Sequence, residues 1–238
     1  MKTKYKRVLL KLSGEGLMGD KGFGISPDVL KSLALQIKDI RKTGVDVCIV
    51  VGGGNIFRGA KKAAEGMNRT VGDHVGMLAT LMNALCLQNV LEDNGVDTRV
   101  LSGLSVPQVC ENYMYRRALR HLEKGRVIIF AGGTGNPYFT TDTGAVLRAS
   151  EMQCDAVLKS TQVDGVYSAD PKSDPDAVRY AEISYDDVIK KELKVMDLTA
   201  VALAKENNIP IVVFSQHAPD SLKSVVLGKG TFTVIKNK

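Results

Sequence analysis

Continuous apolar runs alternate along this chain with segments whose apolar residues recur every three or four positions. The runs predict strands, which we place at 7–12, 45–51, 97–101, 127–131, from 156 onward, at 211–214 and at 231–235. The periodic segments predict helices, which we place between a cap at Ser26 and a stop at Gly44, and at about 73–93, 115–123, 141–152, 184–191, 196–207 and 219–226. Runs without polar alternation are typical of strands covered on both faces. We therefore predict an α/β protein, a three-layer α/β/α sandwich with a mainly parallel central sheet.

The chain length and composition favour one folded unit. With 238 residues, 44% of them hydrophobic, the chain can bury a sizeable core as one large domain or as two tightly joined lobes. We find no internal repeat and no low-complexity linker. The prediction is a single domain over 1–238 with a soft boundary between lobes near 145–155.

The charge balance narrows the class of ligand. The formal net charge is +6 and the pI about 9.1, but lysine and arginine are scattered and form no dense basic run. Tryptophan is absent and aromatic residues make up 5%, so a stacking surface for single-stranded nucleic acid is not expected. The basic balance therefore favours binding of anionic metabolites over binding of nucleic acid.

The cysteines and the N-terminus bear on the compartment. Four cysteines, at 48, 86, 110 and 154, lack the spacing of a zinc site or a disulfide framework, so we expect reduced thiols. No targeting segment is evident, and no stretch approaches the roughly 18 consecutive apolar residues of a membrane span. These features predict a cytoplasmic protein without a membrane partner.

Three glycine-rich turns each follow a predicted strand and begin at Gly14, Gly52 and Gly132. Glycine lets a backbone approach a ligand closely with its N–H groups turned inward. Because ligands bind at the carboxyl ends of parallel strands, the three turns should meet at one edge of the sheet. With neighbouring lysine and arginine residues, they predict a site for a highly anionic substrate, and phosphates fit best.

Three basic residues are candidates for phosphate contact. Lys11 interrupts an apolar strand just before a Ser-Gly turn; a buried lysine needs a partner or a ligand, and the alternative is an edge position that reaches solvent. Lys159 ends the fifth strand. Arg58 lies about one helical turn beyond the glycines at 52–54, and a guanidinium can hold a phosphate with two hydrogen bonds. Those glycines could otherwise form only a sharp turn.

Four polar residues have both a structural and a ligand-binding interpretation. Asp73 opens the predicted long helix, and Asp142 follows the glycine turn at 132–135. Each is either a helix cap or a ligand contact, and so are Thr140 and Thr141.

The remaining candidates are less specific. Tyr167 lies between turn-forming segments and could pack on a nucleobase, whereas Asp170 before a proline could be only a turn residue. We interpret His121 and His217 as structural, because no metal-binding spacing connects the histidines.

Two common nucleotide-binding motifs are excluded. Residues 14–19 read as GxGxxG, but the chain continues as a loop to 24 before a helix begins, and the second strand ends at Gly52 rather than at an acidic residue. A dinucleotide site is therefore rejected. No Walker A sequence occurs either.

Six segments together resemble the amino-acid kinase family and, within it, the bacterial uridylate kinases. The segments are KLSGE at 11–15, GGGNIFRG at 52–59, GMNRTVGDHVGMLATLMN at 66–83, GTGNPYFTTDT at 133–143, LKSTQVDGVYSADP at 158–171 and KELKVMDL at 191–198. The third and fourth are specific to the uridylate branch. The resemblance covers nearly the whole chain and implies ATP-dependent phosphorylation of UMP to UDP in pyrimidine nucleotide biosynthesis.

The resemblance also implies a ligand assignment, with the acceptor in the N-terminal lobe and ATP in the C-terminal lobe. Because phosphoryl transfer brings two anions together, the candidate catalytic residues are Lys11, Lys159, Arg58 and Asp142. The resemblance implies contacts to ATP from Lys11, Leu12, Ser13, Gly14, Gly54, Arg58, Thr161, Tyr167 and Asp170. It implies contacts to UMP from Gly53, Asp73, Thr134, Gly135, Asn136, Pro137, Tyr138, Phe139, Thr140 and Thr141. It implies a GTP-responsive segment formed by Gly19, Asp20, Lys21, Gly22, Phe23 and Gly24.

For the reaction, we expect Lys11 and Lys159 to flank the transferred phosphoryl group and the N–H groups of Gly52 to Gly54 to cradle it. Asp142 should orient the lysines. Mg²⁺ should arrive with ATP, and no resident metal is expected. The resemblance further implies a homohexamer that GTP activates and UTP inhibits.

Three alternatives stay open at this point. The first is another kinase of the same fold that acts on a carbamate or on a substrate that forms an acylphosphate. The second is a nucleotide-sensing module without catalysis, against which the presence of Lys11, Lys159 and Asp142 argues. The third is a Rossmann oxidoreductase, against which the late start of the first helix argues.

Overall fold

The computed structural model describes residues 3–58, 66–171, 173–216 and 221–238. Strands β1 to β11 are Arg7–Leu12, Asp46–Val51, Thr98–Ser102, Glu111–Asn112, Val127–Ala131, Ala156–Thr161, Val166–Tyr167, Arg179–Tyr180, Glu182–Ser184, Ile211–Ser215 and Thr233–Lys236. Helices α1 to α7 are Pro27–Arg41, Arg69–Asp93, Tyr115–Glu123, Thr141–Glu151, Tyr185–Lys190, Leu198–Glu206 and Ser221–Val226. Two short 3₁₀ turns, Glu15–Leu17 and Gly19–Lys21, follow β1.

Nine of these strands form one sheet in the order β4-β3-β5-β2-β1-β6-β10-β11-β9. All neighbouring pairs are parallel except β10 with β11. Strand β1 lies between β2, the next strand in the chain, and β6, a strand from the second half of the chain. The carboxyl ends of β1, β2 and β6 therefore meet where the strand order reverses, and such a crevice is where open α/β sheets bind ligands.

Helices cover both faces of the sheet because its strands are apolar on both faces. In β1, Leu10 enters one core and Leu9 enters the other. Buried residues of α1, α2 and α7 close the first core, and those of α3, α4, α5 and α6 close the second. Leu9 is fully buried, and truncation of such a side chain to alanine typically costs about 2–5 kcal/mol of stability. This arrangement confirms the predicted three-layer sandwich.

Helix α2 is the one helix in the described ranges that is long and apolar enough to cross a membrane by length and composition alone. One of its faces, with Ala84, Leu87 and Leu91 fully buried, packs into the first core. That packing is typical of a core helix in a soluble protein.

The predicted helices and strands are present, but several of them begin or end at other residues than predicted. The helix expected from about 73 begins at Arg69, because the side chain of Asn68 caps it by accepting the Val71 N–H at 3.3 Å. The last strand begins at Thr233 rather than at 231. Strands β4, β7, β8 and β9 were not predicted, because two or three residues are too few to show a periodic pattern. Helix α7 is described from Ser221; positions 219 and 220, with His217 and Gly59, lie outside the described residues.

Candidate active site

Lys11 and Lys159 occupy directly paired positions on the neighbouring central strands β1 and β6. Their side chains are only 9% and 12% exposed. The alternative in which Lys11 reaches solvent at a sheet edge is therefore wrong. Two ammonium groups that are buried away from water repel each other strongly, so the pair needs a compensating anion.

Asp142 supplies that anion from the first turn of α4. Lys11 Nζ lies 2.6 Å from its Oδ1, and Lys159 Nζ lies 2.8 Å from its Oδ2. The Lys159 ammonium donates hydrogen bonds to Oδ2 and to the Val195 carbonyl. The contact with Lys11 is an ion pair, and no directed hydrogen bond reaches Oδ1 from the described residues. Two cations and one anion leave this cluster with a formal charge of +1.

The protonation states follow from burial and from these partners. Burial alone would raise the pKa of Asp142, but the charges of Lys11 and Lys159, together with the contacts of their ammonium groups, outweigh it and hold that pKa below its usual value. Burial and the repulsion from Lys11 lower the pKa of Lys159, against the attraction of Asp142. Asp142 is thus ionised at neutral pH and bound to two cations, so it is suited to orient the lysines rather than to accept a proton.

Thr140, not Asp142, caps α4, since its Oγ1 accepts the Asp142 N–H at 3.0 Å. The helix-cap alternative for Asp142 is therefore wrong. Thr140 and Thr143 donate their hydroxyl hydrogens to Asp197, which also caps α6 by accepting the N–H of Ala200.

Sequence reasoning missed Asp197. The only signal for it was the KELKVMDL segment at 191–198, which matched as a block and suggested no role for this residue. The structure shows that it fixes the start of α4, the helix that carries Asp142, against the start of α6.

The glycine turn after β2 is only partly available to a ligand. The Gly52 N–H donates to the Leu12 carbonyl at 2.9 Å, so the prediction that it cradles a phosphoryl group is wrong. Within the described ranges, the N–H groups of Gly53 and Gly54 have no hydrogen-bond partner. Gly53 also has a packing role, because a Cβ there would lie 2.8 Å from the Gly76 carbonyl oxygen of α2. The triple glycine therefore allows close packing of α2 and leaves two N–H groups without a hydrogen-bond partner in the described ranges.

Arg58 lies on the rim of this turn. Its guanidinium forms an ion pair with Glu15 at 2.7 Å and a long hydrogen bond of 3.4 Å to the Gly54 carbonyl. Both charged side chains are more than half exposed, so the pair contributes little stability. An incoming phosphate can replace the carboxylate as the partner of Arg58.

A cavity of about 250 Å³ opens beside the glycine turn and the start of α4. Seven predicted acceptor contacts line it together with residues of α2. The lining residues are Gly53, Gly54, Phe57, Arg69, Gly72, Asp73, Gly76, Met77, Thr80, Gly133, Thr134, Asn136, Phe139, Thr140 and Thr141. Of the predicted acceptor residues, Gly135, Pro137 and Tyr138 are not part of this lining.

Asp73 lies in the second turn of α2 and points its carboxylate at two groups. It accepts from Arg69 Nε at 3.0 Å and from the Tyr138 N–H at 2.7 Å. Since Asn68 caps the helix, the helix-cap alternative for Asp73 is wrong. Its bond to Tyr138, a non-glycine residue with φ of 71°, instead holds the loop 134–141 against α2.

The predicted ATP contacts Thr161, Tyr167 and Asp170 lie at the end of β6 and in the segment that follows it. Thr161 donates to the Val163 carbonyl at 2.6 Å and fixes the turn that follows the strand. Tyr167 donates to Asp164 at 2.7 Å, and this hydrogen bond raises the pKa of the phenol. Asp170 closes the next turn by accepting main-chain N–H groups. These residues belong to one loop system, separate from the cavity beside α2.

A larger cavity of about 540 Å³ lies on the face of the sheet that α1, α2 and α7 cover. It lies between α1 and α7 and includes Gly19 and Asp20 of the predicted effector segment. Its charged lining residues in the described ranges are the carboxylates Glu15, Asp20 and Asp28, without lysine or arginine. Phe23 of the same segment is 67% exposed.

The described residues contain no cluster of three or more histidine, cysteine, aspartate or glutamate side chains that could hold a metal ion. Asp142, the one carboxylate between the lysines, is already bound to both of them. A resident metal therefore does not fit this site.

Comparison with known proteins identifies the family. Residues 6–215 match the model of the amino acid kinase family. The chain is 57% identical over 235 residues to a uridylate kinase of Paramagnetospirillum magneticum, covering 99% of this chain and 98% of the relative. It is 58% identical over 234 residues to a uridylate kinase of Hyphomonas neptunium, covering 98% and 93%.

Solved structures give the same result. A UMP kinase from Bacillus anthracis superimposes with a TM-score of 0.95 at 39% identity, covering 98% of this chain and 97% of the other. A UMP kinase from Ureaplasma parvum gives 0.93 at 38% identity and covers both chains fully. The chain belongs to the amino acid kinase family.

Proposed function

We propose that this chain is a uridylate kinase, which transfers the γ-phosphoryl group of ATP to UMP and forms UDP for pyrimidine nucleotide biosynthesis. The observation that carries the proposal is the buried Lys11–Asp142–Lys159 cluster at the carboxyl ends of β1 and β6. Identities of 54–58% over nearly the full length to proteins named uridylate kinase support the acceptor.

The reaction brings two anions together, so positive charge must flank the transfer path. In our proposal Lys11 and Lys159 stabilise the charge on the transferred group from two adjacent strands. Asp142 holds both ammonium groups in place, and the N–H groups of Gly53 and Gly54 add two neutral donors. Arg58 exchanges Glu15 for a phosphate. The UMP phosphate attacks as an anion, so no protein base is needed.

We place ATP along the turn after β1 and the loop after β6. The contacts are those of Lys11, Leu12, Ser13, Gly14, Gly54, Arg58, Thr161, Tyr167 and Asp170. Mg²⁺ enters as part of the MgATP substrate and neutralises phosphate charge; the absence of a carboxylate cluster in the described ranges supports this proposal.

We place UMP in the cavity beside α2. Asp73 and the main-chain and hydroxyl groups of loop 134–141 can form hydrogen bonds with the sugar and the base. A site built on such bonds rejects analogues that leave its groups unpaired, so UMP should be a far better acceptor than CMP or dUMP.

Regulation and assembly are further parts of the proposal. GTP activates the enzyme and UTP inhibits it, and the segment 19–24 responds to GTP. Titration of each nucleotide at fixed ATP and UMP tests this, and an activity that does not change with either nucleotide contradicts it.

The assembly is a homohexamer. Val71, Leu78 and Met82, exposed apolar residues along α2, support a subunit contact. The location is the cytoplasm, which agrees with four unpaired cysteines.

The experiment that tests the function is a coupled assay of ADP release with ATP and a panel of nucleoside monophosphates. The expected result is rapid turnover with UMP and formation of UDP. Equal turnover with other acceptors, or none with UMP, contradicts the assignment.

A further inference from the structure

Asn55 and Asn83 form a buried amide pair under the glycine turn that follows β2. Asn55 follows the turn and is 1% exposed, and Asn83 lies in the middle of α2 and is 0% exposed. Each Nδ2 donates to the other residue's Oδ1, at 2.9 Å and 2.7 Å. A closed pair of this kind is rigid, because each carboxamide fixes the plane of the other.

The remaining amide hydrogens hold two main-chain carbonyls. Asn83 Nδ2 also donates to the Gly52 carbonyl at 2.7 Å, and Asn55 Nδ2 donates to the Gly24 carbonyl at 2.9 Å. Rotation of either carboxamide by 180° would set an oxygen against a carbonyl oxygen. The two orientations are therefore determined by the network, and all four amide hydrogens are used.

The pair sets the direction of a ligand-facing N–H group. The N–H of Gly53 belongs to the same peptide plane as the Gly52 carbonyl, and in a trans peptide the two point in opposite directions. Asn83 holds that carbonyl while the Leu12 carbonyl holds the Gly52 N–H. The Gly53 N–H is thus fixed to point away from the Asn83 carboxamide, without any bond of its own.

The same pair joins this turn to the segment 19–24. Gly24 donates its N–H to the main-chain carbonyl of Asn55 at 2.9 Å and receives the Asn55 side chain on its own carbonyl. Gly14 also packs on this pair, since a Cβ there would lie 2.6 Å from Asn55 Oδ1. A displacement of 22–24 therefore moves Asn55, and through it the turn.

We propose that Asn83 and Asn55 are positioning residues for phosphoryl transfer, which orient the Gly53 N–H and couple the segment 19–24 to the glycine turn. The proposal rests on the proposed function for its kinetic part only. The structural coupling can be measured without any substrate.

The test uses Asn83→Asp, which keeps the shape of the side chain but replaces two donated hydrogens by an acceptor that repels the Gly52 carbonyl. The matched control is Asn94→Asp at the residue that ends the same helix, where Nδ2 donates to the Val90 carbonyl at 2.7 Å far from the turn. We expect Asn83→Asp to lower kcat with ATP and UMP by about 10²-fold, with a much smaller change in KM for UMP. Asn94→Asp should leave both constants near the wild-type values.

Hydrogen exchange of the ligand-free proteins gives the second readout. In Asn83→Asp, amides of 19–26 and 52–58 should exchange faster than in the wild type, whereas Asn94→Asp should change neither segment. If Asn83→Asp does not fold, the same two measurements are made on Asn83→Ser. A normal kcat, or unchanged exchange in 19–26 beside a lowered kcat, overturns the proposal. Absence of UMP turnover in the wild type would overturn the proposed function instead, and the exchange result would still be interpretable.

Discussion

Lys11 and Lys159 face each other across adjacent parallel strands and share the two oxygens of a single carboxylate, that of Asp142. The arrangement concentrates positive charge where the strand order of the sheet reverses. It is stable without a ligand only because Asp142 offsets the repulsion between the ammonium groups.

Substitution of either lysine by methionine should remove most turnover and leave the fold intact. Lys11→Met or Lys159→Met keeps the apolar stem and leaves one neutral Lys–Asp pair. We expect kcat to fall by about 10²–10³-fold, with a smaller effect on KM, because the lost charge acts on the transition state. Single-turnover kinetics beside a melting curve measure both effects. Lys31→Met, at an exposed position of α1, is the control. Near-normal turnover in either buried variant would remove that lysine from the mechanism.

Asp142→Asn should destabilise the protein by about 3–5 kcal/mol, because it leaves two buried ammonium groups without a counter-charge. ATP should restore part of this stability, since its phosphates bring negative charge to the same place. Denaturant unfolding with and without ATP measures both effects. Asp39→Asn, which breaks only an exposed pair with Lys42, should change little. An unfolding free energy equal to that of the wild type would mean that the lysines are not held by Asp142.

The pH dependence follows from the same cluster. The folded-state pKa of Asp142 is lowered below 3.8, so its stabilising contribution is complete above the unfolded value and disappears as the pH falls through the folded one. The stability difference between the wild type and Asp142→Asn should therefore persist at pH 5 and narrow only below about pH 3.8. Denaturant unfolding across this range measures it, and a difference that disappears above pH 5 contradicts this sign.

At alkaline pH, the dependence of activity and stability on pH should reflect the protonation of Lys159. Burial lowers its pKa below 10.5, so it loses its proton, and the enzyme its activity, at a lower pH than an ordinary lysine would. The unfolded chain then binds more protons, so this residue makes stability rise with pH in that window. A kcat–pH profile that stays flat up to pH 10.5 would contradict the assignment.

Variants of Asp73 and Asn68 should distinguish a residue that binds the ligand from a residue that caps a helix. Asp73→Asn should raise KM for UMP and leave the melting temperature nearly unchanged, because Asp73 does not cap α2 and asparagine keeps an oxygen that can accept the Tyr138 N–H. Asn68→Ala removes the actual cap and should cost about 1 kcal/mol of stability without a change in KM. Steady-state kinetics and denaturant unfolding of both variants give the comparison. Unchanged UMP kinetics in Asp73→Asn would exclude it from the acceptor site.

Much of the fold could be predicted from the sequence because its strands are long, apolar runs. Lys11 could be singled out because a charge in such a run requires a partner. The identity of that partner depends on the register of β1 with β6 and on the position of α4, and neither leaves a local pattern. The role of Gly52 was misassigned for a similar reason: its N–H is used by Leu12, which lies 40 residues earlier. Asp197 and the Asn55–Asn83 pair likewise depend on contacts between distant segments.

Lys11 and Lys159 are proposed to stabilise phosphoryl transfer from ATP to UMP, and the choice of acceptor tests this together with the loss of one lysine. We would measure kcat/KM for UMP, CMP and dUMP at saturating MgATP, with UDP identified as the product and Lys159→Met as the low-activity reference. We expect UMP to exceed both analogues by at least about tenfold and the turnover of the variant to fall by about 10²–10³-fold with every acceptor. Equal values for UMP and CMP, or UDP formation by the variant at the wild-type rate, would contradict it.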